Sequence, residues 1–103
     1  MKIPKRVKVG ALNYKVKRVK NPLLGSDLCY GTHSESEALI KITNDKNICK
    51  QMKEEAFLHE IVHAIDTDRK LGLTEHQVYN IAKGIYRVGR DLKLNFGKKK
   101  EKE

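Results

Sequence analysis

Two histidines, spaced four residues apart in a strongly helical stretch, constrain this chain more than any other feature. His59, Glu60 and His63 form the pattern H-E-x-x-H. Side chains four residues apart on a helix lie one above the other on one face, so both imidazoles can point at a single ion. Glu60 lies about 100° further around the helix, beside that ion. The pattern therefore predicts a helix with a metal-binding face.

An apolar stripe around this motif predicts that the helix packs against a core. The helix is expected to begin near residue 48 and to end between residues 66 and 71, with both histidines at the margin of its buried face. Two unrelated surface histidines are the plain alternative, and the buried face argues against it. The stripe consists of Phe57, Leu58, Ile61, Val62 and Ile65.

Length and composition indicate one small domain. The chain has 103 residues, of which 39% are hydrophobic, enough for a modest core. We expect a single domain over residues 1–94 and a disordered, lysine-rich tail over residues 95–103. No apolar run approaches about 18 residues, and no secretory leader is recognisable, so we expect a soluble cytoplasmic protein.

Strand patterns precede the helix. Residues 7–19 alternate between apolar and lysine positions around a turn at residues 10–13, which predicts a hairpin with one wet face. Residues 28–32 predict a short strand, residues 33–37 a turn, and residues 38–43 another strand. The sequence therefore predicts an α+β domain, with a small antiparallel sheet of three to four strands packed on two helices.

A second helix is predicted to begin at Thr74. Gln77 follows three residues later, and this pair is the pattern of a capping box. An apolar stripe at helical spacing predicts the face that this helix turns inward. The stripe consists of Val78, Ile81, Ala82, Ile85, Val88 and Leu92.

Charge is spread unevenly along the chain. The net charge is +9, but residues 27–75 hold six Lys/Arg against ten acids, and both ends are basic. Basic ends can contact nucleic acid or an acidic partner. No recognised nucleic-acid motif accompanies them, so we interpret the lysines as solubilising and do not expect a nucleic-acid partner.

Catalytic zinc sites usually take three protein ligands, so the two histidines require a third. Asp66 shares the face of His59 but lies about 7.5 Å further along the helix axis than the ion, too far for its short side chain, which favours a role in supporting a histidine ligand. Glu75 is the better candidate, because it lies on the inward face of the second helix and a buried carboxylate requires a partner. Alternatively, Glu75 only favours the positive end of its helix, and His76 is the fallback ligand. For Glu75 to reach the ion, we expect the first helix to bend or end near residues 66–68.

The motif also indicates a chemistry. Zinc lowers the pKa of bound water and polarises a carbonyl group, and Glu60 would act as the general base. Tyr79, His76 and His33 are open candidates for stabilising the oxyanion. A zinc-stabilised module without catalytic activity, which binds protein or nucleic acid through the basic termini, is the alternative function.

The chain resembles small gluzincin-type metallopeptidases of phage and prophage type. The resemblance lies in residues 58–66, residues 73–78 and the pair Ile81-Ala82. The chain is more distantly similar to the ImmA/IrrE peptidases, in which an acidic ligand opens a comparable helix. This resemblance covers residues 56–92 well and implies a zincin-like fold. It implies zinc bound by His59, His63 and Glu75, with Glu60 as base.

The resemblance also implies how a peptide or protein substrate is held. A strand beside the cleft would pair with extended substrate, and residues 38–43 are the natural candidate. The central residues of this strand are Leu39, Ile40, Lys41 and Ile42. Whether the activity is latent, with the segment after Leu92 covering the cleft, stays open, as do the cleavage preference and the oligomeric state.

Overall fold

The computed structural model describes residues 2–20, 23–24, 27–28 and 30–93 and has α+β architecture, as predicted. The predicted tail, residues 95–103, lies outside the described residues. The described strands and helices are, in chain order, β1 (Arg6–Val9), β2 (Leu12–Val19), β3 (Leu23–Leu24), β4 (Asp27–Leu28), β5 (Gly31–Ser34), β6 (Leu39–Thr43), α1 (Lys50–Arg69) and α2 (Glu75–Asp91).

Four strands form one mixed sheet, so the prediction of a purely antiparallel sheet was wrong. The strand order is β1-β2-β6-β5, and β3 pairs with β4 separately. Strands β1 and β2 form the predicted hairpin, β5 and β6 are antiparallel, and β2 and β6 are parallel. The parallel pair arises because β6 returns from β5 into the position beside β2. Each hairpin is local in sequence, whereas the docking of one hairpin on the other is not.

The strand boundaries matter for the site in one place. His33 and Ser34 belong to β5, although the sequence predicted that they lie in a turn, and the turn occupies residues 35–38 instead. Side chains alternate between the two faces of a strand. His33 therefore projects towards the same side of the sheet as Gly31, which is the side where α1 packs.

The core lies between one face of the sheet and α1, and α2 packs on α1. The sheet turns its apolar side chains inward, and α1 covers them with the apolar stripe that the sequence predicted, except that Ile61 is half-buried and Ile65 is exposed. The largest of the fully buried side chains are Tyr14, Ile40, Ile42 and Val78.

Helix α2 buries a narrower face than the sequence predicted. Its buried residues are Val78, Ala82, Tyr86 and Gly89, at spacings of four, four and three. This helix contacts α1 and not the sheet, so a single line of residues suffices to fill the contact. The other members of the predicted stripe were wrongly placed and are exposed; they are Ile81, Ile85, Val88 and Leu92.

The connection between the helices brings the start of α2 back to the middle of α1. Helix α1 ends at Arg69, Lys70 has a left-handed backbone with φ 54°, and Gly72 has φ 71°. The six residues from His63 to Arg69 advance about 9 Å, and five extended linking residues can span about 16 Å in return. The helix thus ends one residue beyond residues 66–68, in agreement with the expected end near those residues, and this end lets Glu75 return to the histidines.

Neither of the two described helices is a membrane span. In the described part of the chain, no helix is both long enough and apolar enough to cross a bilayer.

Candidate metal centre

The two histidines of the motif lie on one face of α1, as the spacing predicted. Their ring centroids are 4.8 Å apart, and the ring planes are inclined by 68°. Both side chains are about one-quarter exposed, at 24% for His59 and 26% for His63. Each ring therefore rests on the helix and still reaches the cleft.

Glu75 completes the cluster from the first residue of α2. One carboxylate oxygen, Oε1, lies 2.8 Å from Nε2 of His59 and 3.0 Å from Nε2 of His63. The predicted capping box fixes this end of the helix, because Thr74 accepts a bond from the Gln77 amide and the Gln77 side chain accepts one from Thr74. The carboxylate is 67% exposed, so the prediction of an inward, buried Glu75 was wrong, and its contact with both rings is what favours a ligand role.

This donor set fits a metal ion such as zinc. Two imidazole nitrogens and one carboxylate oxygen are ligands that zinc commonly takes in catalytic sites. The three groups offer ligand atoms within 4.8 Å of one another. In a tetrahedral site the ligand atoms lie about 3.3–3.4 Å apart, so separations of 2.8 and 3.0 Å need to widen by only a few tenths of an ångström.

Glu60 lies beside this cluster and is almost completely buried, with 7% exposure. Burial raises the pKa of its carboxyl group to about 7, and the nearby negative charge of Glu75 contributes to the rise. Gly31 of β5 makes room for this side chain. A Cβ at residue 31 would lie 3.3 Å from Cγ of Glu60 and 3.0 Å from Cδ1 of Ile42.

The cluster opens into a cleft of about 740 Å³ between β5, α1 and α2. Beyond the cluster, Met52, Ala56 and Ala82 give the cleft apolar walls. At the far end, Nζ of Lys83 lies 3.1 Å from Oε1 of Glu55. The cleft beyond the cluster therefore combines apolar walls with one charged pair.

Asp66 has a different partner from the one that the sequence suggested. Its Oδ1 accepts a hydrogen bond from the amide of Leu73 at 3.1 Å, and this bond ties the interhelical connection to α1. The hydrogen bonds of the His59 and His63 rings within the described residues involve Glu75 and not Asp66. The contacts of Asp66 thus favour a role in the loop rather than in supporting a histidine.

The topology contradicts the predicted role of β6 as the substrate strand. Leu39, Ile40, Lys41 and Ile42 lie inside the sheet, with β2 paired on one side and β5 on the other. Both edges of this strand are therefore occupied. The sequence signal for β6 was strong because its side chains are buried, and buried strands are usually central ones.

The edge strand of this sheet next to the cleft is β5. The amide of Thr43 donates to the carbonyl of Tyr30 at 2.8 Å, so Tyr30 and Thr43 form a hydrogen-bonded pair. Such pairs alternate along an antiparallel ladder. The peptide groups of Gly31 and His33 therefore face away from β6, towards the outer edge.

The three candidates for oxyanion stabilisation lie in different surroundings. The ring of His33 stacks on that of His63 with centroids 5.9 Å apart, and its buried Nε2 lacks a hydrogen-bond partner among the described residues. Burial, and next the proximity of His63, lower the pKa of His33. Tyr79 is half-exposed and lines the cleft. His76 does not line the cleft, and its Nε2 lies 3.1 Å from the side-chain nitrogen of Asn80. Of the three candidates, His33 therefore lies close to the ring of His63 and also has a polar atom without a hydrogen-bond partner among the described residues.

Sequence reasoning missed Gly31 and the Lys83–Glu55 pair. No local signal marks Gly31, because its importance depends on the approach of Glu60 from another element. The pair joins residues 28 positions apart, so it too depends on the packing of α2 on α1.

Comparisons with known proteins found no matching family model, no similar curated protein and no similar solved structure. The function must therefore be inferred from the geometry of this site.

Proposed function

We propose that this protein is a zinc-dependent peptidase in which His59, His63 and Glu75 hold the metal and Glu60 is the general base. The observation that carries the proposal is the meeting of three ligand atoms from two helices at one point, beside a buried carboxylate. An H-E-x-x-H helix with a third ligand from elsewhere is the arrangement of zinc peptidases. The resemblance to gluzincins and a zincin-like fold is part of this proposal.

Bound zinc would supply a Lewis acid that polarises the scissile carbonyl and would bring the pKa of a coordinated water towards about 7. Glu60 would accept the proton of the attacking water and pass it to the leaving amine nitrogen. Its burial supports this role, since a carboxylate shielded from bulk water exchanges protons with the substrate rather than with solvent. We assign the stabilisation of the carbonyl oxygen to His33, whose buried Nε2 would turn into the cleft when substrate binds.

The substrate would be an extended peptide lying along β5. The outward peptide groups of Gly31 and His33 would pair with it by adding a strand to the sheet. The apolar part of the cleft near Met52 and Ala56 favours a substrate with an apolar side chain next to the cleaved bond.

The alternative function is a zinc-stabilised binding module without catalytic activity. Both functions need the three ligands, but only the peptidase needs Glu60 as a base. Glu60→Gln keeps the size of the side chain and removes its ability to accept a proton.

The decisive experiment compares wild type and Glu60→Gln for zinc content and for cleavage of a mixed peptide library, with and without chelator. We expect one zinc per chain in both proteins. Cleavage should be chelator-sensitive in wild type and at least about a hundredfold slower in the variant. Equal cleavage by the two proteins, or zinc binding without chelator-sensitive cleavage by wild type, would reject the peptidase and leave the module.

A further inference from the structure

The outer face of the sheet, on the side away from α1, carries a cluster of cations. Side chains on this face alternate with the core residues along each strand, and the strand registers place the cations side by side. The four on β1 and β2 are exposed, and the one on β6 is half-buried. We call this surface the basic sheet face; it consists of Arg6, Lys8, Lys15, Lys17 and Lys41.

Repulsion between the charges of the basic sheet face lowers the stability of the fold. Arg6 lies directly opposite Lys15, and Lys17 lies directly opposite Lys41. Like charges directly opposite in a sheet are destabilising. None of the five forms an ion pair with a carboxylate among the described residues. A face that only needed solubility could carry both signs of charge without this repulsion.

We propose that the basic sheet face binds the phosphodiester backbone of nucleic acid without reading its bases. Cations two residues apart on a strand lie about 6.8 Å apart, and neighbouring strands are about 4.8 Å apart, so the face presents rows of positive charge to a linear polyanion. Tyr14 of β2 faces the core, and no aromatic ring from the described strands β1, β2, β5 and β6 lies on this face. Base stacking, which aromatic rings provide, is therefore not its mode of binding.

The sequence alone argued against a nucleic-acid partner because it contains no recognised motif. The sheet changes that interpretation, because it gathers cations from three strands that are up to 35 positions apart in the chain onto one surface. This surface lies on the opposite side of the sheet from His59, His63 and Glu75. Binding there is independent of the metal centre, so the inference does not rest on the proposed peptidase activity.

The test measures binding of a short fluorescent DNA duplex by anisotropy between about 50 and 200 mM salt. One variant replaces all five residues of the basic sheet face with Gln. The matched control replaces five exposed cations elsewhere with Gln, so that both variants lower the net charge from +9 to +4. The control residues are Lys46, Lys50, Arg69, Lys70 and Arg87.

We expect the basic-face variant to bind more than tenfold more weakly. The slope of log Kd against log salt should fall by about 4.5, because each phosphate that is no longer neutralised lowers it by about 0.9. The control should keep most of the affinity and of the slope. Two duplexes of unrelated sequence should bind equally well.

Equal weakening in the two variants would overturn the proposal, because net charge alone would then account for binding. Failure of wild type to bind would overturn it too. So would loss of binding to vesicles of anionic lipid in the basic-face variant while DNA binding stays intact, since a membrane would then be the partner. Circular-dichroism melting checks folding, and we expect the basic-face variant to melt no lower than wild type because repulsion is relieved.

Discussion

Two of the polar contacts between α1 and α2 differ from each other in burial, in solvent access and in the chemistry of their groups. Near one end of the interface, the Tyr86 hydroxyl donates to Oε1 of Glu54 at 2.6 Å, and both residues are buried. Near the other, Oε1 of Glu75 lies within 3.0 Å of Nε2 of both His59 and His63, beside an open cleft. The first contact is closed to solvent, and the second is accessible.

The comparison separates a structural contact from a candidate site. Burial and the bond to Glu54 raise the pKa of Tyr86 to about 12, so the hydroxyl keeps its proton and the bond stays formed over the whole physiological range. The cluster at Glu75 instead turns three groups that could hold a metal ion towards one point without enclosing it. A contact that served stability alone would have no need of this accessibility, so the two ends should respond differently to metal and to mutation.

The largest expected effect is the loss of zinc binding in Glu75→Ala. Removing one of three ligands should weaken zinc binding by more than about a hundredfold, because even residues that only orient a ligand cost about 10- to 100-fold. Competition with a fluorescent chelator measures the affinity. Asp91→Ala, an exposed acid at the other end of α2, is the control and should bind zinc like wild type. An unchanged affinity in Glu75→Ala would remove this residue from the site.

The second-largest expected effect is that metal-free Glu60→Gln is more stable than wild type, by an amount that depends on pH. The pKa of Glu60 rises from 4.5 in the unfolded chain to about 7 in the folded protein, so ionisation disfavours folding. The neutral Glu60 carboxyl group therefore stabilises the folded wild type at low pH. This part of the free energy of unfolding is lost as the pH rises from about 4.5 to about 7, and the loss reaches about 3 kcal/mol.

Urea unfolding in the presence of chelator measures this difference. We expect Glu60→Gln to be more stable than wild type at about pH 8 and equally stable at about pH 4. The control is Glu37→Gln, which removes an exposed carboxylate outside the cluster. A gain of the same size at both pH values would show that the charge of Glu60 is not its source.

A smaller loss of stability is expected for Tyr86→Phe. Removing the hydroxyl leaves the buried Glu54 carboxylate without this donor, which should lower the free energy of unfolding by about 1–3 kcal/mol. Zinc affinity should stay within about threefold of wild type, since this contact lies away from the cluster. Tyr79→Phe, on the exposed part of α2, should change stability little. Loss of zinc binding in Tyr86→Phe would mean that the two ends of the interface are coupled.

The smallest effect is expected for Asp66→Ala. The variant lacks one hydrogen bond to the Leu73 amide, worth about 1 kcal/mol of folding free energy, and should bind zinc like wild type. If Asp66 instead supports a histidine ligand, zinc affinity should drop about 10- to 100-fold. The same chelator competition decides between the two roles.

Local patterns in the sequence predicted the parts of this molecule that depend on neighbouring residues. The β1–β2 hairpin, the two helices and the capping box of Thr74 were all predicted, because turn residues, helical spacing and capping side chains act over a few positions. The meeting of His59 and His63 follows from the same helical spacing.

Features that depend on how elements pack could not be predicted in the same way. The parallel pairing of β2 with β6 places Leu39–Thr43 inside the sheet, where no further strand can pair with it, and leaves β5 at the edge. Gly31 matters only because Glu60 approaches it, and His33 matters only because β5 lies beside α1. The exposed apolar side chains of α2 could not be predicted either, because an apolar stripe in the sequence does not show how much of the stripe a neighbouring element covers.

A crystal structure of the zinc-loaded protein, with anomalous data collected at the zinc absorption edge, tests the proposed metal centre most directly. We expect one strong anomalous peak, about 2.0–2.2 Å from Nε2 of His59, from Nε2 of His63 and from a carboxylate oxygen of Glu75. A peak bound by other residues, or the absence of any peak among these three side chains, would contradict the proposed metal centre.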